Sequence, residues 1–166
     1  AALWQAYFPY WIRRDDLQAI RSSIVVISPA KISEKLQNNA QKPTVLYLYA
    51  SWCGVCRTVM PHLASVIREH EHEQVRFIFI STDKNEMHLF DYLIRNHYDG
   101  LYTPYFLAGE GGEKFLSTID SMGGHYPGSI PYLAFIDRHG KIVTQISGET
   151  SREEILAAIK EISPSP

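Results

Sequence analysis

The stretch that most restricts the fold is Thr44-Val45-Leu46-Tyr47-Leu48-Tyr49, running into Ala50-Ser51-Trp52-Cys53-Gly54-Val55-Cys56-Arg57. Its first six residues are apolar almost throughout, as expected of a strand covered on both faces. The residues after it have helical periodicity, with Val55, Val59, Leu63, Val66 and Ile67 on one face. Cys53 therefore falls where a buried strand turns into a helix. The first N–H groups of that helix lack intrahelical partners and, with the helix dipole, favour an anion there. A thiol at that end ionises more easily, and the thiolate is its reactive form. Cys56 follows one turn later, close enough for a disulfide with Cys53. Strand, cysteine pair and helix make a thiol–disulfide reaction centre, with Cys53 expected to be exposed and Cys56 shielded.

These are the only two cysteines among 166 residues, so none is left for a structural framework. A chain without stray thiols suits an oxidising compartment, where a stray thiol would mispair. The length corresponds to one domain with a substantial core. With 45% hydrophobic residues, 20% charged residues and a formal net charge of −2, nothing points to a nucleic-acid partner. No apolar run reaches the length that spans a bilayer. The chain opens Ala1-Ala2-Leu3, the expected look of a mature or trimmed chain preceded by a signal or membrane anchor, or simply of a chosen starting point.

Along the chain, residues 1–22 form an arm rich in aromatics: Trp4, Tyr7, Phe8, Tyr10 and Trp11. Such a segment is expected to dock on the domain, or else to continue a removed anchor or meet a partner. Within it, Asp15 to Ser22 reads as a short helix. Ser23 to Ile27 reads as a first strand, and Ser28-Pro29 opens a helix that runs to about Asn39. The motif helix ends in the solvated run Arg68 to Glu73, where His70 and His72 do not share a helix face. Val75 to Ser81 is a second buried strand. Lys84 to His97 is an amphipathic helix with Met87, Leu89, Phe90, Leu93 and Ile94 inward. Thr103 to Leu107 reads as a short edge strand, because proline is tolerated at an edge. Glu113 to Met122 is helical and stops at Gly123-Gly124. Tyr132 to Asp137 and Lys141 to Ile146 form a hairpin. A last helix begins with one of two capping boxes, Thr150 with Glu153 or Ser151 with Glu154, and turns Ile155, Leu156, Ile159 and Ile162 inward. Residues 163–166 form a frayed end.

The segment Trp52-Cys53-Gly54-Val55-Cys56 resembles the active-site signature of the thioredoxin superfamily. Pro61 sits where that superfamily carries a proline inside the following helix. Ile130-Pro131, followed by the apolar run Tyr132 to Asp137, resembles its cis-proline loop and next strand. The resemblance covers residues 40 to 162. It implies a thioredoxin-like α/β fold: a central mixed sheet flanked by helices, with an N-terminal extension and an inserted helix–strand–helix segment before the cis-proline. The expected domain runs from 23 to 162, with the insertion at about 84–128. Plain thioredoxins connect these elements more briefly, and the added helix and strand resemble the TlpA-like, cytochrome-maturation-type branch. Peroxiredoxins share the insertion but place a catalytic cysteine differently, and this chain has no third cysteine.

The resemblance implies a protein thiol–disulfide oxidoreductase. Cys53 attacks a target disulfide and Cys56 resolves the mixed disulfide, while Trp52, Gly54, Val55, Ile130 and Pro131 border the substrate groove. Two sulfurs carry all of this chemistry, so no cofactor or metal is expected. The expected partners are protein disulfides or dithiols and a redox partner protein. Two departures stand out. Thioredoxin has a buried aspartate on the strand before the motif, where this chain has Tyr47, and a tyrosine accepts no proton near neutral pH. Thioredoxin also has proline between its cysteines, where this chain has Val55. Both point away from a general cytosolic role and toward a dedicated periplasmic or otherwise extracytoplasmic one. The alternative is a copper-binding module with Cys53, Cys56 and His125 as ligands. Copper-delivery proteins of this fold, however, separate their cysteines by three residues. Structural zinc would need four ligands, and no second cysteine pair exists. His125 and His62 otherwise read as surface residues.

Overall fold

The structure is a computed structural model that describes residues 14–38, 41–69 and 74–163. The aromatic residues Trp4 to Trp11, the run from His70 to Glu73 and the final residues 164–166 lie outside the described residues. In chain order the elements are α1 (Arg14–Ser23), β1 (Val25–Ile27), α2 (Pro29–Gln37), β2 (Thr44–Tyr49), α3 (Gly54–Glu69) and β3 (Arg76–Ser81). They continue as α4 (Glu86–Arg95), β4 (Pro104–Leu107), α5 (Gly112–Ser121), β5 (Tyr132–Ile136), β6 (Ile142–Ser147) and α6 (Arg152–Ile162).

The strands form one mixed sheet in the order β1-β4-β3-β2-β5-β6. β1, β4, β3 and β2 run parallel, and β5 and β6 continue the sheet antiparallel. β2 is interior, and its six residues are all buried because helices cover both faces of the sheet. Val45, Tyr47 and Tyr49 point into the layer built with α3, α4 and α6. Leu46 and Leu48 point into the opposite layer, with α2 and α5. This two-sided burial accounts for the lack of polar alternation in the strand. Leu17 and Ile20 of α1 lean on the first of these layers.

Three local expectations change. β4 is an interior strand, pairing with β3 from Phe79↔Pro104 and with β1 from Val25↔Tyr105. Pro104 is tolerated because it is the first residue of the strand, where its missing N–H interrupts no ladder. The edge falls instead to β1, only three residues long. On α3, the inward stripe is Cys56, Val59, Met60, Leu63, Ala64 and Val66, while Val55 is 42% exposed on the flank of the helix's open end. On α4, Tyr92 joins Leu89, Phe90, Leu93 and Ile94 in the core, and Met87 is only partly covered.

At α6 the structure selects between the two caps. Ser151 is the N-cap, its Oγ accepting from the Glu154 N–H at 3.2 Å. Thr150 instead donates its hydroxyl to Glu154 Oε2 at 2.7 Å. The same helix start braces α3: Arg152 donates to Ser65 Oγ at 3.1 Å and pairs with Glu69. Ser151→Ala should therefore cost about 1 kcal/mol, read as a lower urea midpoint at an unchanged m-value.

Candidate active site

The strand–helix junction turns on Ser51, which is held from both sides. Its N–H donates to both carboxylate oxygens of Asp83, at 3.2 and 3.0 Å, and its hydroxyl donates to Asp83 Oδ1 at 2.7 Å. Its carbonyl accepts from Arg57 Nε at 2.8 Å. Asp83 is 2% exposed and also accepts from the Ser81 hydroxyl at 2.6 Å. Sheet register explains the meeting. β2 and β3 are parallel with Tyr49 opposite Ser81, so two residues further on Ser51 faces Asp83. Thr82 fastens the same end, its N–H donating to the Tyr49 carbonyl at 2.8 Å.

From this fixed turn the chain enters α3. Cys53 and Cys56 are joined in a disulfide with their Cα atoms 5.2 Å apart. The Cys56 N–H donates to Cys53 Sγ at 3.2 Å. When the disulfide opens, that N–H and the helix dipole stabilise negative charge on the Cys53 sulfur. Against the expected exposure of Cys53, both cysteines are buried in the disulfide form, because the turn and the first turn of α3 close over them; Cys53 keeps 7% of its surface and Cys56 none. Trp52 stands beside it, 69% exposed. The Ile130–Pro131 bond is cis. β5 pairs antiparallel to β2, with Tyr132 opposite Leu48, so the residues before Tyr132 run beside the end of β2 where the motif begins. The Gly148 N–H donates to the Pro131 carbonyl at 3.1 Å. Gln145 Oε1 accepts from the Tyr132 hydroxyl at 2.6 Å and the His125 N–H at 2.7 Å, tying the preceding loop to β6.

The profile of the AhpC/TSA family matches residues 26–145, well over half of the chain. The chain belongs to the AhpC/TSA family. Among characterised relatives, it is 27% identical over 130 residues to the thiol–disulfide oxidoreductase ResA of Bacillus thuringiensis strain Al Hakam, covering 78% of this chain and 69% of that protein. It is 26% identical over 155 residues to the chloroplastic thioredoxin-like protein HCF164 of Oryza sativa subsp. japonica, covering 85% of this chain and 53% of that one. Its fold matches a thiol:disulfide interchange protein from Chlorobium tepidum TLS with a TM-score of 0.59 at 20% identity, over 78% of this chain and 83% of that one. It also matches StoA from Bacillus subtilis with a TM-score of 0.56 at 18% identity, over 71% and 82%. Fold and cysteine pair are those of a thioredoxin-type thiol–disulfide oxidoreductase.

In this AhpC/TSA chain the structure gathers Trp52, Cys53, Gly54 and Val55 at the start of α3, with Ile130 and Pro131 coming from the neighbouring strand's approach. His125 is not drawn into a ligand set. Its ring is exposed, with Nδ1 3.7 Å from Asp120 Oδ1, and the described residues hold no group of three His, Cys, Asp or Glu able to hold a metal. His62 is partly covered on α3.

Beneath the pair lies a layer of phenols. Tyr47 is fully buried and donates its hydroxyl to the Cys56 carbonyl at 3.1 Å. Its ring stacks on Tyr49 with centroids 5.2 Å apart, and the Tyr49 and Tyr102 hydroxyls are 3.2 Å apart. Tyr92 packs against Tyr49 and Tyr98. Burial raises the pKa of Tyr47, Tyr49, Tyr92 and Tyr102; neighbouring phenols push Tyr47, Tyr49 and Tyr92 further up, while the hydrogen bond with Tyr49 draws Tyr102 part of the way back. On the far face, burial pushes Tyr132 up to about 12.

Asp83 was missed in the sequence. Its only signal was its place, just after an apolar strand parallel to β2.

Two outcomes follow. Asp83→Asn leaves three donors to share one amide oxygen and should cost about 1–3 kcal/mol, read by urea denaturation. The tyrosines should give alkaline sensitivity. Unfolded phenols ionise near pH 10 and the folded ones higher, so the native state holds more protons above pH 10. The tyrosine contribution to stability should be constant up to about pH 10 and fall from there through pH 12 and beyond. Tyr132→Phe should flatten the part of that fall between about pH 10 and 12, measured as urea midpoint against pH.

Proposed function

We propose that the chain exchanges its Cys53–Cys56 dithiol or disulfide with disulfides and dithiols of partner proteins, in an oxidising compartment outside the cytoplasm. The observation that carries this reading is the asymmetry of the pair: Cys53 retains surface beside the exposed Trp52, while Cys56 has none and lies against Tyr47. The Cys53 thiolate attacks a partner disulfide and forms a mixed disulfide, expelling one partner thiolate. Cys56 then attacks Cys53 Sγ, closing the Cys53–Cys56 bond and releasing the second partner thiol. Run backwards, the same steps oxidise a partner, and the relative potentials decide the direction. Trp52, Gly54, Val55, Ile130 and Pro131 border the groove that receives the partner's polypeptide. The compartment is supported by a chain whose only two thiols are both in the motif, and by Tyr47 standing where cytosolic thioredoxin has an acid.

The experiment is a pair of cysteine variants. Cys53→Ser should abolish reduction of a disulfide substrate such as insulin. Cys56→Ser should accumulate mixed disulfides, visible on non-reducing gels, because attack proceeds and resolution does not. Exchange that survives Cys53→Ser, or trapping by Cys53→Ser in place of Cys56→Ser, would reverse or remove the assigned roles. Stoichiometric Cu(I) binding with no exchange at all would establish the copper reading instead. Equilibration against glutathione then gives the direction. A potential near −270 mV marks a reductant, and one near −120 mV an oxidant.

A further inference from the structure

A cleft of about 280 Å³ opens beside Trp52, between the start of α3 and one face of α4. Trp52, Arg57, His88, Asp91 and Arg95 are among its walls. Its size falls just below the roughly 300–1,000 Å³ of small-molecule sites, so it holds a side chain or two rather than a cofactor. The charges are unequal. Asp91 is engaged by Arg95 at 2.6 Å. Asp83, the nearest buried acid, is turned inward to Ser51 and Ser81. Arg57 is exposed; its Nε is fixed by the Ser51 carbonyl, and no described residue accepts from its Nη groups. A guanidinium held by one edge presents the other in a set orientation, the geometry that receives a carboxylate. Arg57 also lies four residues after Cys53 on the helix, its N–H donating to the Cys53 carbonyl at 3.1 Å. Cys53 is the residue just before the helix and Arg57 sits in its first turn, so the two belong to the same helix end.

We infer that Arg57 and this cleft select disulfide partners bearing a carboxylate one or two residues from the attacked cysteine. The inference rests on the reading of Cys53 as the attacking sulfur. A partner whose cysteine stands over Cys53 carries its next residues about 3.3–3.6 Å further per position, which brings an adjacent acidic side chain over Trp52 to the Arg57 Nη edge. The preference runs against the formal net charge of −2, which by itself would disfavour acidic peptides. It is therefore a property of the cleft and not of the whole surface.

The test uses the reduced full chain and symmetrical peptide disulfides that differ only in the residue beside cysteine: Glu, Gln or Lys. In each reaction the protein dithiol loses two electrons to the peptide disulfide, and its two protons end on the released peptide thiols. Rates are divided by those of the same peptides with dithiothreitol, which removes their intrinsic differences. Wild type should favour Glu over Gln by about three- to tenfold at low salt, and Lys should be slowest. The Glu:Gln ratio should shrink as salt screens the pair. In Arg57→Gln the ratio should fall to about one, and Arg57→Lys should retain part of it. Equal rates for all three peptides with wild type, or a ratio unchanged in Arg57→Gln, would overturn the inference and leave the oxidoreductase reading intact. No exchange with any peptide, by a protein whose dithiol is intact, would overturn both.

Discussion

The hydrogen bonds from Ser51 to Asp83 are the interaction on which the arrangement of the motif depends. A strand that stops under two layers of helix leaves its next backbone groups away from water, and an unpaired buried donor costs about 1–3 kcal/mol. The parallel register of β2 and β3 supplies the solution, because it brings Asp83 alongside Ser51 two residues beyond the last paired residues. The carboxylate takes the Ser51 N–H and hydroxyl, and Arg57 returns from the first turn of α3 to take the Ser51 carbonyl. The turn is thereby closed by groups from three elements. Cys53 is the second residue after Ser51, so its sulfur inherits that fixed geometry.

The tyrosines decide what surrounds the shielded sulfur. Tyr47 and Tyr49 belong to β2 itself and stack on one another, so the strand that delivers the cysteines also lines their floor. Phenols so buried stay neutral across the ordinary pH range. Tyr47 can donate a hydrogen bond to the Cys56 backbone, as it does, and accepts no proton there. Buried charge is expensive where it is not paired. The chain places its buried carboxylate where three donors meet it, at Asp83, and leaves the space under Cys56 to neutral hydroxyls and rings.

The legible parts of the sequence were those in which a local pattern and the tertiary environment agree. β2 was plain because burial on both faces leaves an unbroken apolar run, and α3 because its stripe has helical spacing. The hairpin of β5 and β6 was plain because Gly140, at positive φ, punctuates it. Position within the sheet was not legible for β4: a four-residue strand beginning with proline looks like an edge, and nothing local records that β1 pairs beyond it. Periodicity puts Val55 on the apolar face of α3, but it gives the face of a helix and not where its neighbours end; the groove position came from the family resemblance alone. The two capping boxes of α6 were equivalent on paper, since each offers a hydroxyl with a glutamate three residues on. Only the backbone's entry angle chose Ser151. Asp83 was invisible because its role depends on strand pairing across thirty-two residues, which no window of sequence contains.

The motif's two flanks differ in kind. On the β5 side stand Ile130 and the buried Pro131, whose carbonyl is already taken by the Gly148 N–H, so that flank offers mainly shape. On the α4 side stand polar and charged side chains around an open cleft, with the exposed Trp52 in its wall. Charges at a partly exposed rim change encounter rates and discriminate partners more than they add affinity. That suits a protein proposed to form a covalent mixed disulfide and then release its partner. Tight non-covalent binding would slow the release, whereas a single screened carboxylate–arginine contact biases which disulfide is attacked and then lets go. The Arg57 side chain meets both requirements at once. Its Nε steadies the Ser51 turn from within, and the side chain also lines the cleft from which a partner would approach.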